Sequence, residues 1–224
     1  MTNDYLKLLE FNLVKREKHM EEIILENEFI KLRPVQISDI EAIANAANDT
    51  RIWEHMSVTL LTKEAVKNYI EKAVEEREKG ISYMFAVIDK KTGKLVGCTS
   101  FLDISLPHKR LEIGATWYHP SAWRSAVNTN CKFLLFQYCF EELKLNRLQI
   151  KTGHENSRSQ KAIERIGAVK EGVLRNHMIR KDGTIRHTVM YSVIAEDWAK
   201  LKLKFKDELL NNRIIGTFGN GANS

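Results

Sequence analysis

Trp117-Tyr118-His119-Pro120-Ser121-Ala122-Trp123-Arg124-Ser125-Ala126-Val127-Asn128-Thr129 reads as the end of a strand, a short loop at Pro120 and the opening of a helix. The first amides of a helix have no partner within it, and the helix dipole places positive potential there. With Arg124 beside them, these amides suit an anion, although a plain capped helix start accounts for the same residues. No Walker-type loop or G-x-G-x-x-G run occurs in the chain to compete for a phosphate.

Downstream of this junction, the apolar pattern of Phe133, Leu134, Phe136 and Phe140 predicts a helix over residues 128–143, followed by a strand over 147–152. A second helix is predicted over 157–166, stopped by Gly167. Strands over 172–179 and 186–194 flank an Asp182-Gly183 hairpin signal, and a last helix runs from Glu196 to about residue 210. Upstream, a strand at 29–33 meets Pro34, helices follow at about 38–48 and 62–79, and three strands form a meander over 83–89, 95–103 and 110–118. The fold class is α+β, with a mixed, mostly antiparallel sheet flanked by helices. The strand–helix–strand step over residues 110–152 supplies one parallel pair, with a ligand cleft beside it.

A second block, Lys151-Thr152-Gly153-His154-Glu155-Asn156-Ser157-Arg158-Ser159-Gln160-Lys161-Ala162-Ile163-Glu164-Arg165-Ile166-Gly167-Ala168, is by itself a strand end, a capping loop and a short apolar-striped helix. Taken together, the two blocks resemble the paired cofactor motifs of the GNAT acetyltransferases, and most closely the RimJ/RimL-type (ribosomal-protein N-terminal acetyltransferase-like) branch. Arg124 matches the first position of the family's pyrophosphate loop. Val127 and Thr129 stand where small residues are usual, and the Val-Asn-Thr run is similar to that branch's own variant. The likeness extends from about Glu28 to Trp198.

The resemblance implies a fold with one splayed parallel pair, acetyl-CoA as cosubstrate, and direct attack by a primary amine, such as a ribosomal-protein N-terminus. It implies that the amides of Val127, Asn128 and Thr129 hold the pyrophosphate beside Arg124, Ser125 and Ala126, and that Trp117 and Tyr118 pair with the pantetheine arm. Asn156 would hold that arm or its own loop. Ser159 would protonate the leaving thiolate, or is simply a helix-start serine. An ammonium has no lone pair, so its proton needs an acceptor. Strand alternation puts Glu112 on one face with Gly114 and Thr116, where it serves as base, steers the amine, or pairs with Arg110 or another sheet residue. His177 and Tyr191 are lesser candidates. Trp53, Glu54, His55 and Met56, between the first two helices, are expected on the acceptor side. His187 stands where relatives commonly have aspartate.

Composition sets the outer limits. The net charge is +6, and residues 1–28 hold four Lys/Arg against seven Asp/Glu, leaving +9 on the remainder. That excess suits a phosphate-rich ligand, without zinc-finger spacing or an RNA-binding aromatic motif. Cys98, Cys131 and Cys139 lack metal spacing and read as reduced core thiols. No metal site, membrane span or secretion signal is expected, so the reading is a cytoplasmic protein. Residues 1–27 read as a helical extension that covers the domain or pairs with a second chain as a homodimer; 28–210 form the catalytic domain and 211–224 a flexible tail.

Overall fold

The computed structural model describes residues 22–180 and 182–210. Strands β1 (Leu25–Glu26) and β2 (Ile30–Pro34) lead into α1 (Ile40–Ala47) and α2 (Lys63–Glu78), then the meander β3 (Tyr83–Asp89), β4 (Lys94–Ser105) and β5 (Arg110–Tyr118). Helix α3 (Val127–Gln137) continues as a wider π turn through Tyr138–Glu142. Strand β6 (Arg147–Gly153), α4 (Ser157–Arg165), the hairpin β7 (Val169–Ile179) and β8 (Ile185–Ile194), and α5 (Ala195–Lys204), which runs on as a π turn through Phe205–Leu210, follow among the described residues.

The eight strands form one sheet in the order β1-β2-β3-β4-β5-β6-β8-β7, with β5 and β6 as the parallel pair. The expected α+β order is therefore present. Strand β1 is a correction: the segment read as helical through residue 27 pairs Leu25 with Leu32, and Ile23 is buried in the core. The rest of that extension, and the tail, lie outside the described residues.

Each sheet face has its own core. Helices α3, α4 and α5 cover one face with Phe133, Phe136, Ile163 and Trp198, meeting Leu111, Ile113, Leu148 and Tyr191 of the strands. Helices α1 and α2 cover the other with Ile43, Val66 and Ile70 against Ala86, Cys98 and Trp117. A fully buried side chain of this size contributes about 1.5–3 kcal/mol through burial. Thr62 caps α2 by accepting the Ala65 N–H at 3.1 Å. Asp39 fixes the start of α1, accepting the Gln36 N–H at 2.8 Å and two Arg33 bonds at 2.6 and 2.7 Å. Burial pushes the Asp39 carboxyl up, and the Arg33 and Gln36 bonds outweigh it, leaving its pKa below the usual value. Gly167 (φ +89°) ends α4 where an added Cβ would lie 2.2 Å from Leu201 Cδ2, so the stop residue also permits the α4–α5 contact.

All three cysteines are buried and free. Burial raises each thiol, that of Cys131 to about 12, which keeps them protonated and unreactive at neutral pH.

Candidate active site

Strand β5 departs from regular pairing twice. Its pairing with β6 covers only Arg110, Leu111 and Glu112 against Arg147, Leu148 and Gln149, beyond which the parallel register ends. Ala115, at φ +47°, is an extra residue: Gly114 pairs with Ser100 and Trp117 with Cys98, so Ala115 and Thr116 together oppose Thr99. Such a bulge resets the alternation of faces. The expectation that Glu112, Gly114 and Thr116 share a face therefore fails at Thr116. Its hydroxyl lies 2.8 Å from that of Thr99 and accepts a 3.1 Å bond from Lys132 Nζ of α3. Lys132 is buried, and burial pulls its pKa down to about 8.

At the end of β5, the loop and the start of α3 carry the residues expected to hold an anion. The Val127 N–H donates to Ser125 Oγ at 3.2 Å, so one helix-start amide is already capped. The Asn128 and Thr129 amides have no acceptor among the described residues. Arg124 stands beside them, exposed and in the left-handed region at φ +58°. Arg165, which sequence reasoning missed, donates from the end of α4 to Thr129 Oγ1 at 2.9 Å. Arg158 and Arg51 both lie over the Trp123 ring, 4.5 and 5.6 Å from its centroid, and Trp123 Nε1 donates to the Tyr118 carbonyl at 2.8 Å. The Tyr118 hydroxyl, its pKa raised by burial, donates to Asn128 Oδ1 at 3.3 Å.

Across the splay, Asn156 caps α4 by accepting the Ser159 N–H at 2.9 Å. The Ser159 hydroxyl has no protein partner among the described residues. The Arg158–Trp123 contact joins this helix start to the loop after β5, so the two sequence blocks meet. A hollow of about 300 Å³ also borders Ser125, Ala126 and Val127, on the side of β2 and β3 rather than at the splay.

The opposite sheet face carries the carboxylate. Glu112 is 2 % exposed, and its Oε2 lies 2.8 Å from Lys151 Nζ and accepts a 3.4 Å bond from Gln149 Nε2. Its Oε1 occupies the space above Gly114, where an added Cβ would lie only 2.6 Å away. Of the pairings left open by the sequence, the one formed is with Lys151, while Arg110 pairs with Asp103. Trp53 is a core residue rather than a presented contact: it is buried, donates to the Ala47 carbonyl at 3.1 Å and packs on Trp117 at 5.3 Å. His55 is exposed and, with Met56, borders a cavity of about 80 Å³ that the β7–β8 hairpin closes with Met178 of β7, Arg180 of the turn and Arg186 of β8. His177 Nδ1 lies 3.0 Å from Thr188 Oγ1. Tyr191 faces the other core, donates to Glu164 at 2.9 Å and is raised to about 12, first by burial and then by that acid. His187 accepts the Asn176 N–H at 2.8 Å, holding the β7 irregularity where Asn176 has φ +50°.

Residues 30–169 match the family model of the acetyltransferase (GNAT) domain. The chain belongs to the GNAT acetyltransferase family. A GCN5-related N-acetyltransferase from Brucella melitensis has the same fold, with a TM-score of 0.80, 28% identity, and coverage of 86% of this chain and 87% of that one. An uncharacterized N-acetyltransferase of Bacillus licheniformis is 26% identical over 176 residues, 78% of this chain and 98% of its own. A Bacillus subtilis protein named as a candidate ribosomal N-acetyltransferase is 30% identical over 106 residues, 47% of this chain and 57% of its own. The activity class is N-acetyl transfer with acetyl-CoA as cosubstrate, and the free Asn128 and Thr129 amides beside Arg124 fit the diphosphate such a molecule carries. Among the described residues there is no His/Cys/Asp/Glu cluster able to hold a metal and no helix long and apolar enough to cross a membrane.

Proposed function

We propose that this GNAT protein is a cytoplasmic enzyme that acetylates a protein N-terminal amine by direct attack in a ternary complex. The observation that carries this reading is the early end of the β5–β6 pairing, which stops at Glu112 and Gln149 and leaves the β5 edge beyond it, up to the loop before α3, unpaired with β6. The diphosphate rests on the Asn128 and Thr129 amides with Arg124 and Arg165 beside it, while Ser125, Ala126 and Val127 form the loop. The unpaired edge of β5 at Trp117 and Tyr118 takes the amide-bearing arm, as an added strand would. Asn156 holds the start of α4, and the unengaged Ser159 hydroxyl donates to the departing thiolate.

Glu112 is the proton acceptor, directly or through one water, for an amine entering from the α1/α2 face. Its carboxylate is held in place by Lys151 and Gln149, so little reorganisation is needed when the proton moves. For the acceptor, support comes from the relative named as a candidate ribosomal N-acetyltransferase and from exposed His55 at the mouth beside the β7–β8 hairpin. A chain end can enter there while the rest of the protein stays outside.

The test is release of free thiol from acetyl-CoA with N-terminal peptides, polyamines and aminoglycosides as acceptors. Peptides with a free N-terminus should be acetylated, and the same peptides blocked at the N-terminus should not. Turnover of polyamines or aminoglycosides alone would refute the N-terminal assignment.

A further inference from the structure

Arg186 lies on the acceptor face of β8, in the same alternation as Thr188, Met190 and Ser192. Its side chain runs along Gly153 at the end of β6, where an added Cβ would sit 3.5 Å from Nε. The two cations of β6 have anionic partners, Lys151 with Glu112 and Arg147 with Glu171, and Arg180 of the adjoining turn holds Glu155. Arg186 has no hydrogen-bond or ion-pair partner among the described residues, and its Nε is fully buried without an acceptor. Burial lowers its pKa, the Arg180 charge pushes the same way and the Glu112 charge opposes. Glu54, the one acid on the cavity rim, is exposed and makes no ion pair with Arg186.

A guanidinium donor withdrawn from water without an acceptor is costly, and a planar fork of N–H groups matches a carboxylate. The cavity that Arg186 borders, about 80 Å³, has room for such a group with a water or two. Glu112 lies on the same face, its partner Gln149 four residues before Gly153 along β6, a strand length of roughly 13 Å at about 3.3 Å per residue. Both side chains extend over the face between those positions. Such a face suits a molecule with an amine at one end and a carboxylate a short way along it.

Building on the N-terminal reading above, we propose that Arg186 binds an acceptor carboxylate, so that the preferred substrates are polypeptides with Asp or Glu at the first or second position. The amine points to Glu112 and the acidic side chain enters the cavity beside Arg186.

The experiment compares acid and amide pairs under saturating acetyl-CoA: peptides beginning Ala-Glu against Ala-Gln, peptides beginning Asp against Asn, and free aspartate against its diamide. Wild-type enzyme should favour the acid of a peptide pair by about tenfold or more in kcat/KM, mainly through KM, as expected for one charge-assisted hydrogen bond. Arg186→Gln should abolish the preference while leaving CoA affinity unchanged and without lowering the thermal unfolding temperature, and Arg186→Lys should restore part of it. Equal rates within every pair, or a preference that survives Arg186→Gln, would overturn the assignment; peptides acetylated regardless of charge would do so while leaving the N-terminal reading intact. Inert peptides with an Arg186-dependent preference for free aspartate would keep the carboxylate role and refute the N-terminal reading. Acetylation of uncharged or cationic amines alone would refute both.

Discussion

The two ends of the cleft are built on different principles. At the α3 end the groups proposed to bind the diphosphate are backbone amides and cations from one continuous loop and helix start, with Arg165 the addition from α4. At the Glu112 end they are side chains from β5, β6, β8 and the loop at 54–57, paired across strands. An amide-lined site survives many substitutions, because the backbone supplies the donors. A side-chain site depends on each member.

Replacing Glu112 should therefore have the largest effect. Glu112→Gln keeps the shape and removes the base, and a fall in kcat of about a hundredfold or more is expected, within the usual range for general-base removal. The loss should be greatest at low pH, where the amine is protonated and needs an acceptor, and CoA affinity should stay unchanged. A parallel pH–rate profile would make Glu112 a structural ion-pair residue and erase the contrast.

Lys132 lies between the two ends, under the β5 bulge. Its pKa, about 8, is below the ordinary lysine value of 10.5, so between these the unfolded chain holds a proton that the folded one lacks. Stability from this group therefore rises with pH through that window, and below about 8 the buried charge opposes folding by up to roughly 3 kcal/mol. Lys132→Met should raise the unfolding free energy at pH 7 and flatten its rise between pH 8 and 10.5, measured by urea denaturation. An unchanged pH dependence would show that water or a ligand solvates the ammonium.

Arg124→Glu should have the smallest effect. The side chain is exposed, so stability should hold, while CoA affinity falls by about tenfold through a charge reversal next to the free amides. Unchanged affinity by calorimetry would remove Arg124 from the diphosphate site and leave the Asn128 and Thr129 amides, with Arg165, as its binding groups.

The ease of reading each end from sequence follows the same division. Helix starts, Asn156 as a cap and the turn at Gly183 are local, and the chain near them is enough to place them. Arg158 and Arg165 were hidden because the signal around them is that of an ordinary solvated helix face, and only α4's position across the splay brings them to Trp123 and Thr129. Trp53 reads as a surface contact from sequence because its partner Trp117 is 64 positions away and meets it only when the segment after α1 packs on the sheet. Strand β1 had no signal of its own, since two paired residues at the end of an apolar, helix-like pattern are set by the edge of β2.

The sequence by itself determined the order of elements from β2 onward, the helix start after β5 and the family likeness, all of which rest on short-range periodicity and contiguous motifs. The tertiary structure decided that Glu112 pairs with Lys151, that the Ala115 bulge turns Thr116 toward Lys132, and that Arg186 faces the cavity without a partner. The physical reason is that strand register and bulges are set by pairing between distant segments, and one extra residue in a strand changes the face of every side chain beyond it.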